Sequence, residues 1–448
     1  MHMKGENKIK QSPREKREDQ ARVPGMLRAM RHRNFQLFFS GQMISLVGTW
    51  MQTIAQSWLV YRLTGSSLLL GVVGFAGQIP VFLLAPVGGM AADRWNRHRV
   101  VIGTQVSSMI LAFILAALTL LHIVRVWEIC VLAALLGAVN AFDIPARQSF
   151  LIDMVGREDL MNAIALNSSM FNGARVIGPA IAGLLVSWIG EGWCFFANAV
   201  SYIAVIAGLL WMKLGPLSQA RTDVSPFEHI AEGFRFVRRT KPILALMLLI
   251  GLVSLVAVPY SVLMPIFADR ILHGGARALG ILMGATGIGA LLGALTLATR
   301  RGVHGLGRWV GISAASFGAS LILFSFSRWF WLSVILLVPV GYSVMLQMSS
   351  SNTLIQAMVP DHLRGRAMAA YTMMFMGMAP MGSLFAGALS DRIGAPWTVA
   401  IGGICALIGS VVFLRKLPDL RFEARQLIVA QGLGGIEPVE EISARGVS

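Results

Sequence analysis

The chain has 448 residues, 55% of them hydrophobic and only 13% charged, with a formal net charge of +16. Soluble domains carry roughly 25% charged residues, so this balance excludes a soluble globular protein and points to a lipid bilayer as the surrounding medium. The lysines and arginines lie in tails and short loops instead of one continuous patch, which argues against nucleic acid as their partner.

In chain order, residues 1–33 are polar and basic, lack the apolar run of a signal peptide, and read as a cytoplasmic tail. Twelve apolar runs follow, near 34–61, 68–91, 99–121, 127–146, 164–189, 192–212, 243–268, 278–299, 308–327, 329–350, 367–389 and 396–415. Each approaches the length needed to cross a hydrocarbon core of about 30 Å. The prediction is an all-α membrane protein with twelve transmembrane helices. A six-helix bundle over 34–212 and another over 243–415 are joined by a cytoplasmic linker, 213–242, and followed by a cytoplasmic tail, 416–448. In the linker, Ser225, Pro226 and Glu228 form a helix-start signal, and Phe227, Ile230, Phe234 and Val237 share one face, as in an interfacial helix. Arg62, Arg125, Arg270, Arg277, Arg328 and Arg392 are the basic residues of the outer loops. Only Arg175 lies inside a span, and the remainder fall on one side, which sets both termini in the cytoplasm. Cys130, Cys194 and Cys405 sit in or beside spans and far apart, so neither a disulfide framework, a metal site nor a cofactor is expected.

Residues 155–185 align without a gap on 359–389, at an offset of 204. The matched columns include Gly173 with Gly377, Gly178 with Gly382, and Gly183 with Gly387. The halves therefore read as parallel repeats, an architecture of one large transporter class.

Between the second and third runs stands GGMAADRWNRHRV, a knot of charge in an apolar chain. Gly89, Asp93, Arg94 and Arg97 resemble the loop signature of the major facilitator superfamily, G-x-x-x-D-R-x-G-R-R/K. Asn96 replaces the second glycine, a position where asparagine tolerates a left-handed turn. The resemblance implies that Asp93 docks on the start of span 11 and that Arg97 pairs with an acid at the inner end of span 4. That acid would be Asp143, and Gly89, Asp93, Arg94, Arg97 and Asp143 would form a latch across the inner mouth. GALSDRIG, 387–394, reads similarly but faces outward, so Asp391 is expected to have no latch role.

NGARVIGPAIAG in span 5, with Gly178, Pro179 and Gly183, is similar to the motif that this superfamily associates with export. Together with Gly284 and Gly289 of span 8 and Gly382 and Gly387 of span 11 it predicts close helix packing. Asn167, Phe171 and Arg175 share one helical face. An arginine in mid-span faces a cavity or a partner, so Arg175 either attracts an anionic substrate or forms a structural ion pair. Ser45, Thr49, Gln52 and Gln56 make a polar stripe on span 1, which glues helices or contacts substrate. In the resembled fold spans 1, 4, 7 and 10 line the cavity, which favours substrate contact and adds Asn140, Tyr260, Tyr342 and Gln347. Span 1 holds no acid between Phe35 and Tyr61, which leaves Asp143 as the candidate for proton coupling.

Residues 28–415 together resemble the bacterial branch that holds the enterobactin exporter and macrolide-efflux-like carriers, often called transmembrane secretion effectors. The resemblance implies a multi-pass, monomeric inner-membrane exporter of a small molecule (siderophore, drug or secondary metabolite), working by alternating access and proton antiport. Uptake or facilitated diffusion on the same fold, or a non-transporting receptor, are the alternatives. No nucleophile–base pair, metal cluster or phosphate loop points to an enzyme.

Overall fold

The computed structural model describes residues 25–214, 234–300 and 302–431, which are helical throughout, without strands. The first half contributes α1 (Arg33–Thr64), α2 (Ser67–Arg94), α3 (Arg97–Leu120), α4 (Val126–Val155), α5 (Leu160–Ile189) and α6 (Glu191–Leu210). The second contributes α7 (Lys241–Val256), α8 (Gly275–Ala298), α9 (Leu306–Phe326), α10 (Phe330–Met358), α11 (Asp361–Ile393) and α12 (Ala395–Ala430). Eleven helices among the described residues, α7 counted with its continuation to Ile271, are long and apolar enough to cross a membrane. Beyond Val256, α7 passes through 3-10 and π turns, where Pro259 and Pro265 withhold backbone donors. Of the expected interfacial helix, Ser225, Pro226, Phe227, Glu228 and Ile230 lie outside the described residues. The described part, 234–239, is helical and buries Val237.

Local chemistry sets the turns. Gly65 ends α1 in the left-handed conformation, φ +61°. The Ser66 hydroxyl then caps α2 by accepting the Leu69 N–H. Asn96 departs from expectation. At φ −65° it is not left-handed but the N-cap of α3, its Oδ1 accepting the Arg99 N–H. Several helices outrun their apolar stretches: α4 continues to Val155, α5 begins at Leu160, and α12 extends to Ala430. Hydropathy registers only the stretch that contacts lipid, so these polar helix ends read as loops in the sequence.

Equivalent helices pair alike in the two halves: α2 with α4 and α8 with α10, α3 with α6 and α9 with α12. Two large contacts join the halves, α5 on α8 and α2 on α11, with smaller ones from α1 and α2 onto residues 258–266. In lipid such contacts depend on close packing, and the sequence-matched glycines supply it. A methyl group added at Gly183 would lie 2.9 Å from Gly280 Cα, and one at Gly387 3.0 Å from Gly71 Cα.

The apolar core forks. At the face where α1 ends and α2 begins, one cluster runs through both halves and includes Leu59, Leu70, Val186, Leu263 and Phe267. Toward the opposite, arginine-rich face where α1 begins, the first half keeps a separate cluster around Phe35, Phe150 and Met170. The halves are joined at one end and parted at the other.

Candidate functional site

Within the fork lies a cavity of about 450 Å³, lined from both halves. The first half contributes Trp50, Thr53, Gln56 and Ser57 of α1, Gln78 of α2, Asn140 of α4 and Arg175 of α5. The second half contributes Tyr260, Met283, Thr286, Met345, Met348 and Phe375. Both walls mix polar and apolar groups, since Ile54, Leu70 and Leu136 also line the first and Ser261 the second, and the thioethers adapt to varied shapes. Another cavity, of about 470 Å³, sits between α7, α9, α10 and α12. It draws only on the second half and its wall is mainly aliphatic, so it is not where the halves meet.

Arg175 decides the character of the central cavity. Its guanidinium carbon lies 5.7 Å from the Trp50 ring centroid, a stacking contact, and Trp50 is itself braced edge-on by Phe171 at 5.6 Å. Among the described residues no carboxylate pairs with Arg175, and none lines the wall. A guanidinium is always charged. The site therefore offers one uncompensated positive charge beside aromatic and amide groups, a setting suited to an anion.

Of the expected cavity residues, Gln56, Asn140, Arg175 and Tyr260 do line the wall. The remaining seven stand elsewhere. Gln52 accepts a hydrogen bond from the Asn198 amide at 2.7 Å, and Thr49 meets the Tyr202 hydroxyl at 3.4 Å, so both join α1 to α6. Ser45 is buried, its carbonyl taken by Thr49. The cavity face of α1 runs instead through Trp50, Thr53 and Ser57, about a quarter turn round the helix from the stripe. Asn167 is half-buried and Phe171 exposed, both outside the wall. Gln347 is 1% exposed with neither amide atom paired and does not line the cavity, although Val344, Met345 and Met348 of α10 do. Tyr342 is half-buried, its backbone held against Gly289 and Gly293 of α8.

The expected latch is also corrected. Arg97 pairs not with Asp143 but with Asp153, at 3.3 Å, and also donates to the Ala92 and Ser149 carbonyls. The cause is the length of α4: its helical extension carries Asp153 out to the level of the loop, whereas Asp143 lies deeper. There Asp143 is buried and accepts from Thr104 at 2.8 Å, Gln105 at 2.9 Å and Arg147 at 3.2 Å. Asp93 and Arg94 are exposed, neither with a partner among the described residues, and a methyl group at Gly89 would touch nothing within 4 Å. Among the described residues no such latch forms, and at this arginine-rich face methyl groups at Gly89 of α2 and Gly365 of α11 would both meet nothing within 4 Å. Where α2 and α11 do meet, Asp391, expected to be idle, accepts hydrogen bonds from Ser66 and Ser67.

Among the packing residues, Gly183 meets Gly280, while Gly178 lies on Trp50 and Val47 of α1. Gly382 sits correspondingly on Leu255 and Pro259. Pro179 turns its carbonyl toward Gly280, and Gly284 lies near Val176. Gly289 packs against α10 instead of α5. Asp153, Arg147, Thr53, Ser57 and Gln78 carry no distinguishing mark in the sequence. Spacing rules for charge and periodicity stop at the predicted helix ends, where the first two lie.

Residues 25–431 match the family model described as transmembrane secretion effector. The chain belongs to this family of the major facilitator superfamily. It is a multi-pass transporter of the bacterial inner membrane, acting on small molecules and not an enzyme. It is 27% identical to the staphyloferrin A transporter of Staphylococcus aureus (84% of this chain, 94% of that one). It is 28% identical to the multidrug efflux pump Tap of Mycolicibacterium fortuitum (83% and 93%), and 26% identical to the enterobactin exporter EntS of Shigella boydii (87% and 93%). In fold it is similar to the crystal structure of the nucleoside transporter NupG, with a TM-score of 0.69 at 14% identity, over 86% of this chain and 98% of that one.

Proposed function

We propose that this transporter exports an anionic small molecule of the siderophore or secondary-metabolite kind from the cytoplasm by alternating access, as a monomer. The observation that carries the reading is Arg175, a fixed cation without a carboxylate partner in a cavity wall free of acids. The arginine-rich face is cytoplasmic by the distribution of charge, so the cavity opens toward the cargo. With α1 counted as a span, the chain has twelve, in two parallel repeats. Matched helix pairings and the shared use of Gly183 and Gly387 support that count. Export as the direction is supported by the similarity to an efflux pump and an exporter.

Proton antiport belongs to the proposal as the coupling mode, with the exchanging acid away from the cargo because the wall holds none. Energised inverted vesicles provide the test, with citrate as the anionic probe and ethidium as the cationic one. The citrate-type anion accumulates, the dye does not, and Arg175→Ala lowers anion uptake by about ten- to a hundredfold, the scale of one lost charge-assisted contact. Energy-dependent uptake into right-side-out vesicles instead would establish the nutrient-carrier alternative.

A further inference from the structure

The contact that joins the halves at the outer end is polar as well as close-packed, and it converges on one short turn. Residues 61–67, from the last turn of α1 to the first residue of α2, are gripped from both sides by the second half. On one side Asp391, in the last turn of α11, accepts the Ser67 backbone N–H at 2.9 Å and the Ser66 hydroxyl at 3.2 Å. Beside it the Ser390 hydroxyl donates to the Ser67 hydroxyl at 2.9 Å. On the other side the Tyr61 hydroxyl donates to Asp269 at 2.8 Å, and the Arg270 guanidinium donates to the Gly65 carbonyl at 2.9 Å.

The Asp391 contact is well matched electrostatically. The first N–H groups of α2 have no partner within their own helix, and the helix start carries partial positive charge. A carboxylate from the other half answers both. At the far end of the same α2–α11 pair nothing corresponds: Asp93 has no partner among the described residues, and methyl groups at Gly89 and Gly365 would meet open space.

We propose that Asp391, Ser390, Asp269 and Arg270 form an outer clamp on the α1–α2 turn, one that holds the cavity shut toward the outside and must release once in each transport cycle. These are positioning residues. They touch no cargo and set how often the cavity opens outward. The inference rests on the alternating-access reading. Its test needs no cargo, so a failed clamp and a mistaken cargo class give different results.

Ser57 lines the cavity, so Ser57→Cys, made after replacing Cys130, Cys194 and Cys405 by serine, reports accessibility. The reagent is a membrane-impermeant maleimide, applied to right-side-out and to inverted vesicles. Ser67→Pro removes the N–H that Asp391 accepts at the first position of α2, where proline suits a helix. The preceding Ser66 is already extended (φ −96°, ψ 127°), as proline requires. Ser67→Pro, Asp391→Ala and Asp269→Asn are each expected to raise labelling from outside about tenfold and to lower it from inside. Unchanged labelling from both sides in all three variants overturns the clamp. So does a fall in melting temperature with no change in the outside-to-inside ratio, which marks a merely structural contact.

Discussion

Arg175 and Asp143 are both charges inside the first half, yet they do opposite things. Asp143 has three donors from Thr104, Gln105 and Arg147, so its charge is spent within the bundle. Removing one member of such a buried pair leaves the other uncompensated. Asp143→Asn is therefore expected to cost about 3 kcal/mol of stability, seen as a lower melting temperature in detergent, while the pH dependence of efflux stays as in the parent. Loss of that pH dependence in a stably folded variant would restore Asp143 as the coupling acid. Arg175 has its charge to offer. Because it also stacks on Trp50, lysine keeps the charge but loses the planar contact. Arg175→Lys should fall between the parent and Arg175→Ala in anion uptake, and equality with either extreme tells which property the cargo reads.

At the scale of helices, what was legible depended on whether the signal lay in lipid. The apolar runs mark the spans to within a few residues at the face where α1 ends, as in α6 and the starts of α2 and α4. At the arginine-rich face the helices continue in polar sequence, and there Arg97 meets Asp153 instead of the expected Asp143. The stripe on α1 shows the same limit in rotation. Periodicity puts Ser45, Thr49, Gln52 and Gln56 on one face, but α6 claims most of that face through Asn198 and Tyr202. The glycines were more reliable, because a missing side chain in lipid has few uses besides close approach. Gly183→Leu places a branched side chain where a single added methyl would already lie 2.9 Å from Gly280 Cα. Overpacking of this kind costs roughly 1–3 kcal/mol, and here it bears on the joined end of the fork. The expected outcome is at least a tenfold loss of export, with Ser57→Cys more accessible from outside. Normal export would show that α5 and α8 need not touch.

For the whole molecule, the direction in which charge moves has an energetic consequence. An anion leaving a cytoplasm that is negative inside gains about 2.3 kcal/mol per charge for each 100 mV, and a proton entering in exchange gains as much again. Dissipating the potential with valinomycin and potassium should slow export severalfold. Dissipating the pH gradient with nigericin should slow it further only where protons are exchanged. Insensitivity to both would exclude secondary active export of an anion. In the proposed export cycle the forked core supplies the mechanical form, since the halves share apolar packing where α1 ends and the first half keeps a separate core toward the arginine-rich face.

By itself the sequence determined the membrane class, the approximate spans, the family and the cation at 175. Each of these is written in composition, in periodicity, or in residues adjacent along the chain. Only the tertiary structure decided which acid meets Arg97, which face of α1 borders the cavity, and that Asp391 meets Ser66 and Ser67 while Asp93 has no partner among the described residues. Those are pairings between helices far apart in sequence. They depend on how far each helix extends and how it is rotated against its neighbours, and both are set by packing across the whole molecule.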